Sequence, residues 1–324
     1  MIGWQEAWQE ALYGDSGFYR QPAGPAGHFT TSTHPPLGDV FAQGIVALAA
    51  REGLGRVIDI GCGRGELLRA VHAIAPELDL LGVDVVERPA ALPEAIAWVS
   101  SPGGAGLPAE LVDLEGALVV ANEWLDVVPC TVAEIDDDGV AREVHVDPVT
   151  GEERLGPPLT EQDRAWCSAH WPTDDLAPGD RLEVGASRDA AFTDLASRLR
   201  SGLLVAVDYG HLAGRRPTDG TLIGYANGMV IGPEPDGFTD LTAHVAMDSL
   251  PGAQVRTQRE WLLELLPCFE AAGCGMAQAD PAGYLASIAR RSVLAQLTDP
   301  RGLGGFYWAT LRRPTTEGDP AHAR

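Results

Sequence analysis

Short apolar runs rich in β-branched residues alternate along the chain with stretches whose apolar positions recur every three or four residues. Residues 56–60 (RVIDI) read as a strand, and 66–75 follow with Leu67, Leu68, Val71 and Ile74 on one helical face. A second strand is expected at 78–83. The runs 96–100 (IAWVS), 117–121 (ALVVA) and 203–207 (LLVAV) are apolar throughout, as in strands buried on both faces of a parallel sheet. Alternation of this kind predicts an α/β fold with an open, doubly wound, Rossmann-like sheet. No repeat of fixed period interrupts it, which removes solenoids and propellers.

Two regions depart from simple alternation. Residues 132–146 (VAEIDDDGVAREVHV) read as a hairpin about Asp138-Gly139, a favoured two-residue turn. The stretch 159–200 looks largely helical and polar, so 130–200 is expected to be an insertion subdomain between the fourth and fifth strands. Residues 7–13 and 38–51 predict helices ahead of the sheet. Pro and Gly clusters at 21–27, 101–108, 147–158, 213–220 and 231–237 mark joints. The expected organisation is an extension with a flap over 1–52, a core formed by 53–129 and 201–314, the insertion, and a flexible tail over 315–324.

The most informative stretch is VIDIGCGRGELL. Here Gly61, Gly63 and Gly65 separate a strand from a helix. Glycines let the backbone turn sharply and approach a ligand, and the helix start offers free N–H groups. Asp84 ends the next strand about twenty residues on, placed to accept hydrogen bonds from ribose hydroxyls. A dinucleotide fingerprint wants G-x-G-x-x-G, whereas the third glycine here comes one residue early. Asp59, inside the strand before the loop, suits an ammonium group better than a pyrophosphate. The combination favours S-adenosyl-L-methionine, which carries a ribose, a cationic tail and no phosphate. The plain alternative is a tight strand-to-helix turn with no ligand.

Charge narrows the partners. The 324 residues carry 23 Lys plus Arg against 46 Asp plus Glu, a formal charge of -23, and every one of the basic residues is arginine. Such a surface repels phosphate backbones and anionic lipid, so neither nucleic acid nor a membrane is an expected partner. The first residues lack a basic segment followed by an apolar one, and no run approaches about 18 apolar residues, so a cytoplasmic location is expected. Five scattered cysteines without a C-x-x-C pair and eight isolated histidines predict neither a disulfide framework nor a metal site. Nothing here decides between a monomer and a homodimer.

Ordered motifs over most of the chain add a resemblance. ALYGDSGFY at 11–19, HFTTS at 28–32, IDIGCGRGELL at 58–68, ANEWLDVVP at 121–129 and VAVDYG at 205–210 come first. GTLIGYANG at 220–228, DLTAHVAMDSL at 240–250 and GLGGFYWATLRR at 302–313 complete the set. In these the chain resembles the S-adenosylmethionine-dependent methyltransferases related to MidA and to the mitochondrial complex I assembly factor that methylates a protein arginine. The glycine loop is generic to methyltransferases, while NE-x-x-D-x-x-P with DYG and DLTAHV is specific to this family. The resemblance implies a class I methyltransferase sheet, S-adenosyl-L-methionine as cofactor, and a protein or peptide arginine as acceptor. There are departures. Thr33-His34-Pro35-Pro36 stands where the family continues with Pro-Glu, the loop reads Gly-Cys-Gly for the common Gly-Pro-Gly, and Trp124 and Leu125 replace paired aromatics.

Methyl transfer needs a nucleophile held about 3 Å from the methyl carbon and shielded from water. Asn122, Glu123 and Asp126 follow an apolar strand at the sheet edge where open α/β folds place ligands. Glu123 and Asp126 would orient a guanidinium by charge-assisted hydrogen bonds. Their ordinary reading is a pair of first-turn carboxylates favoured by a helix dipole. Asp208 ends another buried strand and is expected at the same pocket, with a turn aspartate as its plain alternative. Expected cofactor contacts are Asp59, Gly61, Cys62, Gly63, Gly65, Asp84, Val85 and Asn122, with Phe29, Thr31 and Ser32 in an N-terminal flap. Cys62 reads as a small loop residue despite its place at a helix start, where thiol pKa values can fall. His34 and His244 are undecided as acids or bases, and the tryptophans read as core, with Trp98 near the expected adenine edge. Two functions compete with arginine methylation: transfer to a small molecule of a biosynthetic pathway, and a non-catalytic binding or assembly protein on a retained cofactor fold.

Overall fold

The computed structural model describes residues 1–21, 31–267 and 274–314. Phe29, Cys268 and the tail over 315–324 lie outside the described residues. A two-residue strand β1 (Ile2–Gly3) leads into α1 (Trp4–Tyr13), and α2 (Gly38–Glu52) precedes the first long strand. Then β2 (Arg56–Ile60), α3 (Glu66–Ile74), β3 (Asp79–Asp84), β4 (Ile96–Ser100) and β5 (Ala117–Asn122) alternate as the apolar pattern requires. The next part holds β6 (Thr131–Ile135), β7 (Ala141–Val146), β8 (Glu153–Pro158), α4 (Glu161–His170), β9 (Arg181–Val184) and α5 (Ala186–Arg198). After β10 (Gly202–Asp208) come short strands β11 (Gly210–His211), β12 (Ile223–Ala226), β13 (Met229–Ile231), β14 (Asp240–Thr242) and β15 (Val245–Ala246). The chain closes with β16 (Gln254–Thr257), α6 (Gln258–Leu265), α7 (Cys274–Ala279), α8 (Pro281–Leu297) and β17 (Tyr307–Arg313).

Seven strands form the central sheet in the order β16-β17-β10-β5-β2-β3-β4. From β10 to β4 all neighbours are parallel, and β17 runs antiparallel between β10 and β16. This is the open, doubly wound sheet that the alternation predicts, with one reversed strand near an edge. Every residue of β5 and β10 is buried, so both faces are covered. Alternation decides which side each residue serves: Leu118, Val120, Val205 and Val207 pack toward α2, α3 and α6, while Val119, Ala121, Leu204 and Ala206 pack toward α5.

A second sheet, β1-β7-β6-β9 with β8 against β7, lies between β5 and β10 in the chain except for its first strand. The predicted hairpin forms, Ile135 pairing with Ala141, but its turn is longer than the expected two residues: the Gly139 N–H closes back on the Asp136 carbonyl at 2.9 Å, with Gly139 at φ 77°. A second expectation changes: 159–200 is not wholly helical, because β9 pairs antiparallel with β6. A four-residue strand between two polar helices has too few alternations to show in sequence. Trp4, Trp8 and Leu12 of α1 pack on Val132, Val144 and Val146, while Trp166 and Trp171 cover Ala133, Ile135, Leu182 and Val184 on the other side. The N-terminal helix thus adheres to the inserted sheet by three large apolar side chains, worth roughly 2 kcal/mol each on full burial.

Candidate active site

The chain order reverses between β2 and β5, and a crevice at the carboxyl ends of those strands is where such sheets take ligands. A cleft of about 1150 Å³, measured with its open mouth, lies there. Gly61, Gly63 and Gly65 have φ values of 67°, 59° and 78°, a left-handed run that other residues rarely adopt. The loop is strapped to the next strand, because the Gly61 N–H donates to the Val83 carbonyl at 2.9 Å. Asp84 braces it from the side: its Oδ2 accepts from the Gly63 N–H at 2.7 Å and its Oδ1 from the Val86 N–H at 3.1 Å. Burial pushes the Asp84 carboxyl up to about 6, against the pull of those N–H groups.

Of the residues expected at the cofactor, Thr31, Asp59, Gly61, Cys62, Gly63, Asp84, Val85 and Asn122 line this cleft. Gly65 starts α3 one step behind, facing Leu92 and Trp98. Ser32 is buried without lining the cleft, its hydroxyl accepting from Gln258 Nε2 at 3.4 Å. Trp98 serves as packing, with its ring over Gly82 and its Nε1 donating to the Val86 carbonyl. Burial pushes the Cys62 thiol well up, with Asp59 and Asp84 adding to it, so the helix start yields no reactive thiolate.

The expected acceptor residues divide. Asn122 and Glu123 line the cleft, and Asn122 Nδ2 donates to Glu123 Oε1 at 3.0 Å. Glu123 has φ 52°, a strained backbone for a side chain of its size, held by its N–H bond to the Val207 carbonyl at 2.8 Å. Burial and the neighbouring Asp126 push its carboxyl up to about 8. Asp126 and Asp208, by contrast, sit behind the cleft wall, 3% and 0% exposed. Burial, together with the charge of Asp126, holds the Asp208 carboxyl well up. Asp208 Oδ2 accepts from the Leu125 N–H at 3.0 Å, which ties the end of β10 to the turn after β5.

Several site residues carried no assigned role in the sequence reading. Tyr13 and Tyr19 line the cleft from the N-terminal segment, their rings 5.4 Å apart. The Tyr19 hydroxyl donates to Asp240 Oδ1 at 2.8 Å. Arg188, 1% exposed, donates to the carbonyls of Asp126, Val128 and His244 and stacks on Trp8, fixing the turn that carries Glu123. ALYGDSGFY and DLTAHV had marked three of these positions; nothing local marks Arg188. Of the histidines, His34 lines the cleft, whereas the His244 ring packs on Tyr209 away from it.

Residues 37–262 match a family model described as "Putative S-adenosyl-L-methionine-dependent methyltransferase". The chain belongs to this methyltransferase family. Two solved structures from Burkholderia thailandensis share the methyltransferase's fold. One, a COG1565 superfamily member bound to S-adenosyl-homocysteine, has a TM-score of 0.76 at 22% identity, covering 100% of this chain and 90% of its own. The other, a native structure from the same superfamily, has a TM-score of 0.74 at 23% identity with the same coverage. A search of curated proteins finds no match.

The cofactor of the methyltransferase is S-adenosylmethionine, and the cleft fits it. Asp59, Glu66, Asp84 and Glu123 line the wall against Arg64, so carboxyl oxygens that accept from an ammonium outnumber the cations a pyrophosphate would need. Asn122 Oδ1 is buried with no hydrogen-bond partner among the described residues, an acceptor left for a ligand N–H. No described helix is long and apolar enough to cross a membrane.

Proposed function

We propose that the methyltransferase acts on the guanidinium of a protein or peptide arginine, in kinship with the MidA and complex I assembly factor enzymes. The observation that carries this reading is Glu123: a carboxyl in a strained turn, lining the cleft beside the glycine loop, with Asp126 behind it. When bound, S-adenosylmethionine supplies an electrophilic methyl group. The glycine loop would hold its amino-acid end with Asp59 beneath, Asp84 and Val85 its ribose, and Asn122 Oδ1 an N–H of the ligand. Glu123 would hold an acceptor N–H and take up the proton that leaves the methylated nitrogen, a role that suits a carboxyl near 8. Asp126 and Asp208 would act through Glu123, as a buried charge that keeps its carboxyl ready to receive a proton.

Transfer to a small molecule is the second reading, favoured by Thr33 and His34 at the cleft where the family pattern has an acidic residue. Labelled methyl transfer from S-adenosylmethionine into a cell lysate separates the two. Label is expected in protein and in methylarginine after hydrolysis; label only in the small-molecule fraction would replace the first reading by the second. No transfer into either, with cofactor binding intact, would favour a binding protein.

A further inference from the structure

Asp240 poses a problem that the cofactor does not solve. It is 0% exposed at the start of β14, yet its Oδ2 has no hydrogen-bond partner among the described residues, and its Oδ1 receives the Tyr19 hydroxyl. A buried carboxylate left half-satisfied is costly and calls for a reason. Tyr19, which lines the cleft, connects to Asp240: its hydroxyl proton is committed to that carboxyl, so the phenol oxygen offers lone pairs to a ligand. Tyr13 repeats the arrangement: its hydroxyl donates to the Val127 carbonyl at 3.2 Å while its ring lines the same wall. The two rings lie 5.4 Å apart at 30°, a paired aromatic surface with the Asp240 carboxyl behind it. Such a wall attracts a planar cation by its ring faces and by acceptor oxygens, and it offers nothing to an anion.

Resting on the arginine reading above, we propose that Tyr13 and Tyr19, with Asp240 as the positioning residue behind them, form the acceptor subsite, which selects a cationic nitrogen donor. Asp240 acts by fixing the Tyr19 hydroxyl, so that the phenol oxygen and ring keep one orientation. The site draws together residues 221 positions apart, because Ala243 N–H donates to the Asp126 carbonyl and so sets β14 beside the Glu123 turn.

The test uses the full-length protein saturated with S-adenosyl-homocysteine and two probes, a Gly-Arg-Gly peptide and the same peptide with citrulline. The wild type is expected to bind the arginine peptide at least tenfold more tightly than its neutral twin. Asp240→Asn and Tyr19→Phe should each remove most of that preference while S-adenosyl-homocysteine affinity stays within twofold, which shows that the variants are folded. A preference unchanged in both variants would overturn the subsite and leave the arginine reading standing. A wild type that binds both peptides alike would overturn both. Equal weakening of the two peptides in Asp240→Asn would make Asp240 structural and sink the proposal.

Discussion

The two halves of the cleft are built in opposite ways. The cofactor half comes from one contiguous unit, β2, the glycine loop, α3 and β3, in which Asp84 reaches back twenty-one residues to the Gly63 N–H. The half that we propose takes the acceptor is assembled from the N-terminal segment, the turn after β5, the end of β10 and β14, held by contacts such as Tyr19 to Asp240 across 221 residues. The first is a supersecondary motif whose shape follows from its own glycines. The second exists only once two sheets have formed, and a buried arginine from α5 pins it. A catalytic surface of this kind can change its acceptor by altering any one of several segments while the cofactor unit stays the same.

That contrast can be broken experimentally. The largest effect expected is on turnover in Glu123→Gln: kcat should fall about a thousandfold, within the range for a lost general base, with cofactor affinity within threefold. Steady-state rates and calorimetry check it, and a loss of cofactor binding instead would merge the two halves. Next, Arg188→Met removes the guanidinium that donates to the Asp126, Val128 and His244 carbonyls and should cost about 3 kcal/mol or more in denaturant unfolding. A cost near zero would mean that the acceptor half does not depend on this pin. Asp84→Ala should weaken S-adenosylmethionine binding about a hundredfold, roughly 2.7 kcal/mol, with less effect on unfolding than Arg188→Met.

The halves also differ in how they answer pH. In the proposed cofactor pose, ionised Asp84 would accept from ribose hydroxyls, and its carboxyl sits at about 6. Cofactor affinity should therefore fall below pH 6 by up to tenfold per unit. Stability answers pH in the other direction from affinity. Burial holds the Glu123 and Asp240 carboxyls near 8 in the folded state, so the fold keeps protons that the unfolded chain releases near pH 4. Their stabilising contribution is complete below about pH 4 and is lost as pH rises through 8. Asp84 adds the same sign at about 6. Unfolding curves of the ligand-free protein from pH 5 to 9 should show this decline, and Asp240→Asn should flatten part of it. The smallest effect is at Cys62→Ser, which should shift cofactor affinity less than threefold, since the thiol is neutral and only fills the loop.

Legibility in the sequence follows the same division. The strand at 56–60, the helix beginning at 66 and the strand at 117–121 were readable because burial on both faces makes a continuous apolar run and a helix repeats within a few residues. The strand β9 was not, being four residues long between polar helices. Glu123 and Asn122 were found by their place after an apolar strand. Asp126 and Asp208 had the same local signature but lie behind the wall, since whether a carboxylate faces a cleft depends on what packs over it. Arg188 sits in an ordinary polar helix, and only its three carbonyl partners from distant loops reveal its task.

By itself the sequence determined the parallel sheet, the glycine loop with its acidic partner, and a negative charge suited to a cationic ligand. These depend on backbone freedom, periodicity and composition, all of them properties of neighbouring residues. Only the tertiary structure decided that the reversed strand β17 lies between β10 and β16, that the first strand joins the inserted sheet, and that Tyr19 meets Asp240 at the cleft. Those outcomes depend on which distant surfaces bury one another, and no local pattern encodes that choice.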